Sequence, residues 1–441
     1  MDRTIEIALQ PGRFVSYRDG YDFVSELHQV EAEIANLTAA DPPRAVTLYE
    51  TFMAGCNEKT EEIDDSDGGF GMFFEDLACG WIKARQAAGA DDGETARLLL
   101  GWMEDNPYGF LHDIEREAVK AFRGKGLAAF EREVLARFEK AFAAQGRAGG
   151  RKDPEIDYRC RHWGGKLKTI YCAQRSAAKY IDLTSKLGLT RADCEAVATI
   201  FQAKGRLPDA LSWTERGLEF GAGSEFDSGS GYKLAAMRRA LLRKLGRREE
   251  ALESAWAEFQ KHPAMFTYQE LFRYTPKAGR AEWHAKAMEA AEHGHLDSLI
   301  ELWLGVKEIE RLARRLDLAS NHELESLSHY VTEPAAGRLA KTHPGVAAKV
   351  FRALCLRIIN AGKSKYYFAA LTHLEKAKNC YKEAGLEAEW HALAAEIRKR
   401  HSRKSSFMPG FERIATGARS PRQPSFLDRA RRRWARPSKL T

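Results

Sequence analysis

The feature that most constrains this chain is a helical period of apolar residues that recurs along nearly its whole length. Strict alternation of the strand type is rare. The period is clear in residues 23–37, 129–144 and 346–359, where one side of a helix carries Val24, Leu27, Val30, Ile34 and Leu37, then Phe130, Val134, Leu135, Phe138 and Phe142, then Ala347, Val350, Phe351, Leu354 and Ile358. Because each apolar stripe must be covered by a neighbouring helix, the pattern predicts an all-α fold of stacked helical hairpins.

Short repeats indicate how these helices are arranged. "GRLPDAL" at 205–211 recurs as "GRREEAL" at 246–252, 41 residues later, and "AEWHAKA" at 281–287 recurs as "AEWHALA" at 388–394. Gly-Arg is expected to end one helix just before the next begins. A Gly upstream of each Trp-His motif, Gly279 or Gly385, is expected to end a helix. Repeats of this length built from two helices are typical of a tetratricopeptide-like α-solenoid.

The pattern predicts four regions. Residues 1–145 form an N-terminal helical region, and 146–165 form an irregular connection that is rich in Gly and charge. Residues 166–412 form the helical-repeat region, and 413–441 form a basic, disordered tail.

Positive charge is concentrated at the C-terminus. The chain carries a net charge of +7, but residues 398–441 contain 14 Lys and Arg against two acids, while the preceding 397 residues have 55 basic and 60 acidic side chains. Cations next to a tryptophan can neutralise phosphates and stack on a base. The candidate residues for binding DNA or RNA are Arg429, Arg431, Arg432, Arg433, Trp434 and Arg436. The alternatives are a solvated charge run, docking on the acidic body and an anionic membrane surface.

The order of the motifs resembles the helical region of bacterial SWIM zinc-finger proteins, which is also classified separately as a domain of unknown function. The shared features are the acidic turn "EEIDDSDGGFG" (61–71), the "GR" repeats, "WAEFQKHP" and the basic "RKRHSRKSSF" that follows the last helix pair, over residues 12–412. The resemblance implies a tetratricopeptide-like helical array without a settled biochemical activity. The SWIM finger itself is missing, because the chain has no Cys-x-Cys pair, and Cys160 with His162 cannot close a four-ligand zinc site.

Seven cysteines scattered without a pairing rhythm fit a reduced, cytoplasmic protein. The first residues lack the pattern of a signal peptide, and no apolar run reaches the roughly 18 residues of a membrane span. We therefore expect a cytoplasmic protein with no membrane partner.

The acidic turn is the strongest candidate in the sequence for a metal-binding or catalytic site. Neither register of an EF-hand loop fits it: one starting at Asp64 places Gly68 and Met72 where oxygen ligands are required, and one starting at Ile63 fails at the first and last positions. Carboxylates before a helix can instead accept hydrogen bonds from the free N–H groups of its first turn. A helix cap is the preferred interpretation, with a cation or partner site at Asp64, Asp65 and Asp67 as the alternative.

Other motifs fail as sites. The histidines of "HELESLSH" (322–329) are seven residues apart, too far for one zinc on a helix, and "GAGSEFDSGSGYK" (221–233) lacks the ending of a phosphate loop and is read as a linker. The Trp-His pairs at 283–284 and 390–391 are read as core, with the lining of a groove as the alternative. The sequence thus predicts no enzyme and no cofactor, but a non-enzymatic scaffold that holds a protein or peptide partner in the solenoid groove. Nucleic-acid binding through the tail is the alternative function.

Overall fold

The computed structural model describes residues 1–10, 12–104, 111, 114–147, 153–220, 228–417 and 431. Regular structure in these ranges is helical, with one isolated parallel β-bridge between Val15 and Ile63. The chain divides into two compact units, Met1–Arg247 (unit 1) and Arg248–Thr441 (unit 2). No helix within the described ranges combines the length and apolar character needed to cross a membrane. The predicted all-α class is confirmed.

The helices of unit 1 are α1 (Asp2–Leu9), α2 (Gly20–Ala40), α3 (Pro42–Lys59), α4 (Gly69–Ala87), α5 (Asp92–Glu104), α6 (Glu115–Ala121), α7 (Lys125–Arg147), α8 (Pro154–Ala173), α9 (Ala177–Leu187), α10 (Arg191–Ala203), α11 (Leu207–Glu219) and α12 (Ser228–Lys244). Those of unit 2 are α13 (Arg248–Lys261), α14 (Met265–Tyr274), α15 (Arg280–Ala291), α16 (Leu296–Val306), α17 (Ile309–Leu318), α18 (Asn321–Ser326), α19 (His329–Leu339), α20 (Pro344–Asn360), α21 (Tyr367–Glu383), α22 (Glu387–His401) and α23 (Met408–Thr416).

Sequential helices pack as hairpins, as the apolar stripes predict. α3 packs on α4, α10 on α11, α13 on α14 and α20 on α21. The predicted stripe of α2 is buried at Leu27, Val30 and Ile34, whereas Phe23 takes the buried place expected for Val24. In unit 2 the buried side chains of α13 to α23 form one continuous core. The predicted α-solenoid class of stacked hairpins is therefore confirmed.

The Gly-Arg repeats lie at equivalent turns. Gly205 between α10 and α11 and Gly246 between α12 and α13 both have positive φ angles, of 73° and 83°, which glycine adopts without strain. Gly385 ends α21 in the same way. Gly279 does not end an α-helix, contrary to the prediction. It closes a short 3-10 turn with a φ of −91° directly before α15.

The predicted irregular connection at 146–165 is wrong from Pro154 onward, where α8 begins. The Asp153 carboxylate accepts hydrogen bonds from the N–H groups of Glu155 and Ile156, and Pro154 suits the first turn because its missing N–H costs nothing there. The boundary between the compact units lies at 247/248 rather than in this segment.

Two other predicted boundaries differ from the structure. Residues 228–233 of the expected linker belong to α12. The predicted tail begins at residue 413, but α23 continues to Thr416 because Phe407 and Phe411 anchor it in the core and Arg398 forms two hydrogen bonds to Glu412. Residues 418–430 and 432–441 lie outside the described residues.

A single carboxylate joins three helices of unit 1. Asp193 at the start of α10 is 2% exposed and accepts hydrogen bonds from Tyr180 of α9 at 2.9 Å and from the Thr190 hydroxyl at 2.7 Å. The Lys168 ammonium of α8 lies 2.7 Å away. Burial by itself raises the pKa of Asp193, but the hydrogen bonds from Lys168, Thr190 and Tyr180 outweigh it and hold that pKa below its ordinary value.

Replacing this carboxylate should destabilise unit 1 in a pH-dependent way. We expect Asp193→Asn to lower the free energy of unfolding by about 3 kcal/mol at neutral pH, because the half-buried Lys168 ammonium loses the buried carboxylate with which it pairs. Because a depressed carboxyl pKa stabilises the fold only above its unfolded value, the difference should shrink as the pH falls below 3.8. Urea unfolding of the wild type and the variant across this range measures it. Asp182→Asn on the exposed face of α9 is the control, and equal losses in both variants would contradict the assignment.

Candidate functional site

The acidic turn lies directly before α4, and its carboxylates bind backbone N–H groups. The two oxygens of Asp65 accept from Phe70 N at 2.7 Å and Gly71 N at 3.0 Å, and Asp67 accepts from Gly69 N at 3.1 Å. Gly68 provides the left-handed residue before the helix, with a φ of 75°. The predicted capping role is confirmed, because these side chains satisfy the first N–H groups of α4.

The turn also anchors the segment that follows α1. Val15 is 3% exposed and forms a parallel bridge to Ile63: its N–H donates to the Glu62 carbonyl and its carbonyl accepts from Asp64 N, both at 2.9 Å. This contact fixes the return of the chain from α1 to α2. The acidic turn is therefore a structural support for the N-terminal segment as well as a cap.

A cleft with a volume of about 1020 Å³ lies between α1, the segment after it and the C-terminal half of α3. Its floor is formed where Ile5 and Leu9 pack on α3, and both side chains are buried. This packing uses the space that Gly55 leaves free, because Leu9 Cδ1 occupies the place in which a Cβ of residue 55 would lie. α1 is thus held by two apolar side chains and one glycine.

The charges of the cleft are only partly paired. Lys59 forms an ion pair with Glu62 on the wall, and Asp2 pairs with Arg44. Other lining residues, namely Arg3, Glu6 and Glu58, are exposed and have no ion pair within the described part of the chain. The unpaired charge that faces the cleft is therefore net negative.

An exposed aromatic side chain lines the cleft. Phe14 is 57% exposed, and Tyr17 and Tyr21, which are not among the lining residues, follow in sequence and are 58% and 80% exposed. An apolar floor, unpaired charges and an exposed aromatic edge are features of a surface that binds another chain, because aromatic residues give large contact areas at little entropic cost.

The tail residues predicted to bind nucleic acid fall almost entirely outside the described residues. Arg429, Arg432, Arg433, Trp434 and Arg436 lie outside them, and Arg431 is described and exposed. Nucleic-acid binding through the tail therefore stays a prediction.

The other sequence candidates are not brought together. Cys160 and His162 lie two residues apart on α8, so they project in different directions. His322 and His329 lie on separate helices, α18 and α19, rather than on one helix as the sequence interpretation assumed. The described ranges contain no group of three or more His, Cys, Asp or Glu side chains placed to hold a metal ion.

The two Trp-His pairs differ. Trp390 is buried in the core, as predicted, while His391 is exposed. Trp283 is half-buried against Trp256, and His284 lies between the Tyr268 hydroxyl at 2.8 Å and a Glu308 carboxylate oxygen at 3.0 Å. These polar contacts tie α14, α15 and the start of α17 together.

The cleft was missed by the sequence interpretation, which used the first residues only to test for a signal peptide. The available signal was the spacing of Ile5 and Leu9 four residues apart, followed by Pro-Gly, which is typical of a short amphipathic helix and its end. No local pattern indicates that this helix packs on Gly55.

Comparisons with known proteins identify a family. No curated protein matches the chain significantly. Similar solved structures include a chain of Naa15/Naa10 bound to HypK-THB, with 14% identity over 94% of this chain and 65% of that one and a TM-score of 0.32. A circular tandem repeat protein is 12% identical over 95% and 96%, with a TM-score of 0.19. The sequence profile of a family of unknown function, DUF6880, matches residues 5–409, so the chain belongs to this family.

Proposed function

We propose that the protein is a non-enzymatic helical-repeat scaffold that binds a protein or peptide partner through the cleft between α1 and α3. The observation that carries the proposal is the cleft, whose volume of about 1020 Å³ is at the upper end of the range of small-molecule sites. Its open side and exposed aromatic edge suit an extended chain segment better than an enclosed ligand. Helical arrays commonly present such surfaces.

The charges define the kind of partner. Glu6 and Glu58 lack a cationic partner in the described ranges, so a Lys or Arg of the bound segment can pair with them. Apolar side chains of the same segment would cover Phe14 and the floor formed by Ile5 and Leu9. The proposed partner segment is therefore both apolar and basic.

We also propose that the chain is related to the helical region of SWIM zinc-finger proteins, which is consistent with a scaffold role. The binding surface is built from α1, the segment after it, α3 and Glu62 of the acidic turn, so partner binding should need no zinc. We also propose a reducing, cytoplasmic location in bacteria, with the free cysteines as support.

A photo-crosslinking experiment in cells tests the cleft. The cross-linking amino acid p-benzoylphenylalanine at Phe14 of the full chain should capture a defined partner, and the same substitution at Tyr158, which is 55% exposed on α8, should not. Mass spectrometry of the cross-link should place it in an apolar, basic segment. Glu6→Lys combined with Glu58→Lys should reduce the yield at least about tenfold, as expected for two lost charge pairs.

The matched control makes the same charge change elsewhere. Glu26→Lys with Glu33→Lys on the exposed face of α2 should leave the yield unchanged. Equal capture from Phe14 and Tyr158, or an equal effect of both charge reversals, would show that the cleft is not the binding surface. The non-enzymatic part of the proposal fails if the purified protein turns over a substrate and a substitution in the cleft abolishes turnover.

A further inference from the structure

Two loops of unit 2 lie side by side. Residues 361–366 connect α20 to α21, and residues 402–407 connect α22 to α23. Lys404 joins them, because its ammonium lies 3.4 Å from the Tyr367 hydroxyl and 3.8 Å from the place where a Cβ of Gly362 would lie. The loops therefore form one continuous surface.

This surface is strongly positive. It carries Lys363, Lys365, Arg403 and Lys404, of which the first three are exposed. None of these four forms an ion pair with a carboxylate within the described part of the chain. Cations without a carboxylate partner in these ranges are available to an external anion.

The nearest acids in sequence do not neutralise it. Between Glu396 and Glu412 the chain has no carboxylate side chain, and each of these two is already paired with an arginine. Glu412 accepts two hydrogen bonds from Arg398, and Glu396 lies 3.0 Å from Arg400. The excess charge of the two loops is therefore directed toward solvent.

Exposed aromatic residues lie in the first loop and directly after it. Tyr366 is 49% exposed and has the Lys365 ammonium 5.7 Å from its ring centre, and Phe368 is 83% exposed on the first turn of α21. A phenylalanine with this exposure has no role in the core. Rings next to lysines are the arrangement by which proteins bind unpaired bases while cations contact the phosphates.

We infer that this surface, defined by Lys363, Lys365, Tyr366, Phe368, Arg403 and Lys404, binds single-stranded nucleic acid. The cations contact the phosphate backbone, and bases stack on Tyr366 and Phe368. A duplex is not the ligand, since its bases are already stacked on each other and do not expose their faces. This activity is additional to the partner binding proposed for unit 1 and uses residues outside the tail candidates.

Salt-dependent binding of the full chain to a labelled oligothymidylate of about 16 nucleotides tests the inference. The triple variant Lys363→Ala, Lys365→Ala, Arg403→Ala keeps Lys404 and its contact with Tyr367. The plot of log affinity against log salt should become less steep by about 2 units of slope. At about 0.1 M salt this corresponds to about a 100-fold loss of affinity. Phe368→Ala should cost about tenfold in affinity through lost stacking, at a position too exposed to affect folding.

Matched variants in the same unit provide the control. Lys261→Ala, Lys277→Ala, Arg280→Ala removes the same charge from exposed positions, and Tyr330→Ala removes a ring that is 80% exposed. Apart from the non-specific loss that follows from a lower net positive charge, neither variant should change the affinity for the oligonucleotide by more than about twofold.

Three results would overturn the inference. The first is an equal loss in the loop and control triple variants. The second is that replacing Arg429, Arg431, Arg432, Arg433 and Arg436 by alanine abolishes binding while the loop variant does not, which would assign the activity to the tail. The third is equal affinity for a duplex of the same length or for polyglutamate, which would make the surface a general polyanion site.

Discussion

Lys166→Ala is expected to lower the free energy of unfolding of unit 1 by about 3–5 kcal/mol. Lys166 on α8 lies 3.0 Å from the Glu115 carboxylate of α6, and the two side chains are 3% and 6% exposed. Removing the ammonium leaves a carboxylate buried without its countercharge, and water cannot replace the lost partner. Urea unfolding, with hydrogen exchange of α6 and α8 to assign the transition to unit 1, measures the loss.

Two further variants distinguish the cost of burying an unpaired charge from the net stabilisation that the ion pair provides. Replacing both residues by apolar ones, Lys166→Met with Glu115→Leu, should recover most of the stability, because no charge then remains buried. Lys186→Ala removes the exposed pair to Asp182 and should cost less than about 1 kcal/mol. If Lys166→Ala costs no more than Lys186→Ala, the buried pair contributes nothing to the fold.

The parts of the fold that could be predicted depend on local signals. The spacing of apolar residues in α2 predicts both that the segment is a helix and which of its sides is buried. Both can be read from residues that are close together in the sequence. The turns at Gly205 and Gly246 could be predicted because only glycine adopts their positive φ without strain. The cap formed by Asp65 and Asp67 follows from the chemistry of a helix start.

What could not be predicted depends on contacts between distant residues. The Gly and charge of 146–165 indicated an irregular segment, yet Lys166 beside it is buried through a partner 51 residues earlier. The basic surface of unit 2 is likewise formed only when Lys404 reaches the loop at Gly362. Composition and spacing carry no information on contacts between distant residues. The basic tail could therefore be recognised from the sequence, whereas the basic surface formed by the two loops could not.

Gly55→Leu is expected to release α1 from α3 and to abolish the cleft. Leu9 Cδ1 already fills the space beside Gly55, and a side chain at residue 55 must displace it. α1 has only eight residues and two buried side chains, so it cannot remain helical once its packing is lost. Amide exchange in residues 2–9 should accelerate at least about tenfold, as local opening no longer requires breaking these contacts. Cross-linking of the partner from Phe14 should fall to the level of Tyr158.

The cause of this effect can be isolated with two comparisons. Gly101→Leu in α5 should leave α1 unchanged and add helix propensity worth about 0.5–1 kcal/mol, because, apart from its chain neighbours and the backbone of α5 itself, no atom of the described residues lies within 4 Å of the place a Cβ would occupy there. Combining Gly55→Leu with Leu9→Ala restores the space and should return part of the protection of α1 and part of the cross-link. A double variant that exchanges as fast as Gly55→Leu would show that α1 is not held by this contact. Partner binding that persists after α1 is released would separate the scaffold function from the cleft, because the floor and the Glu6 carboxylate both move with α1.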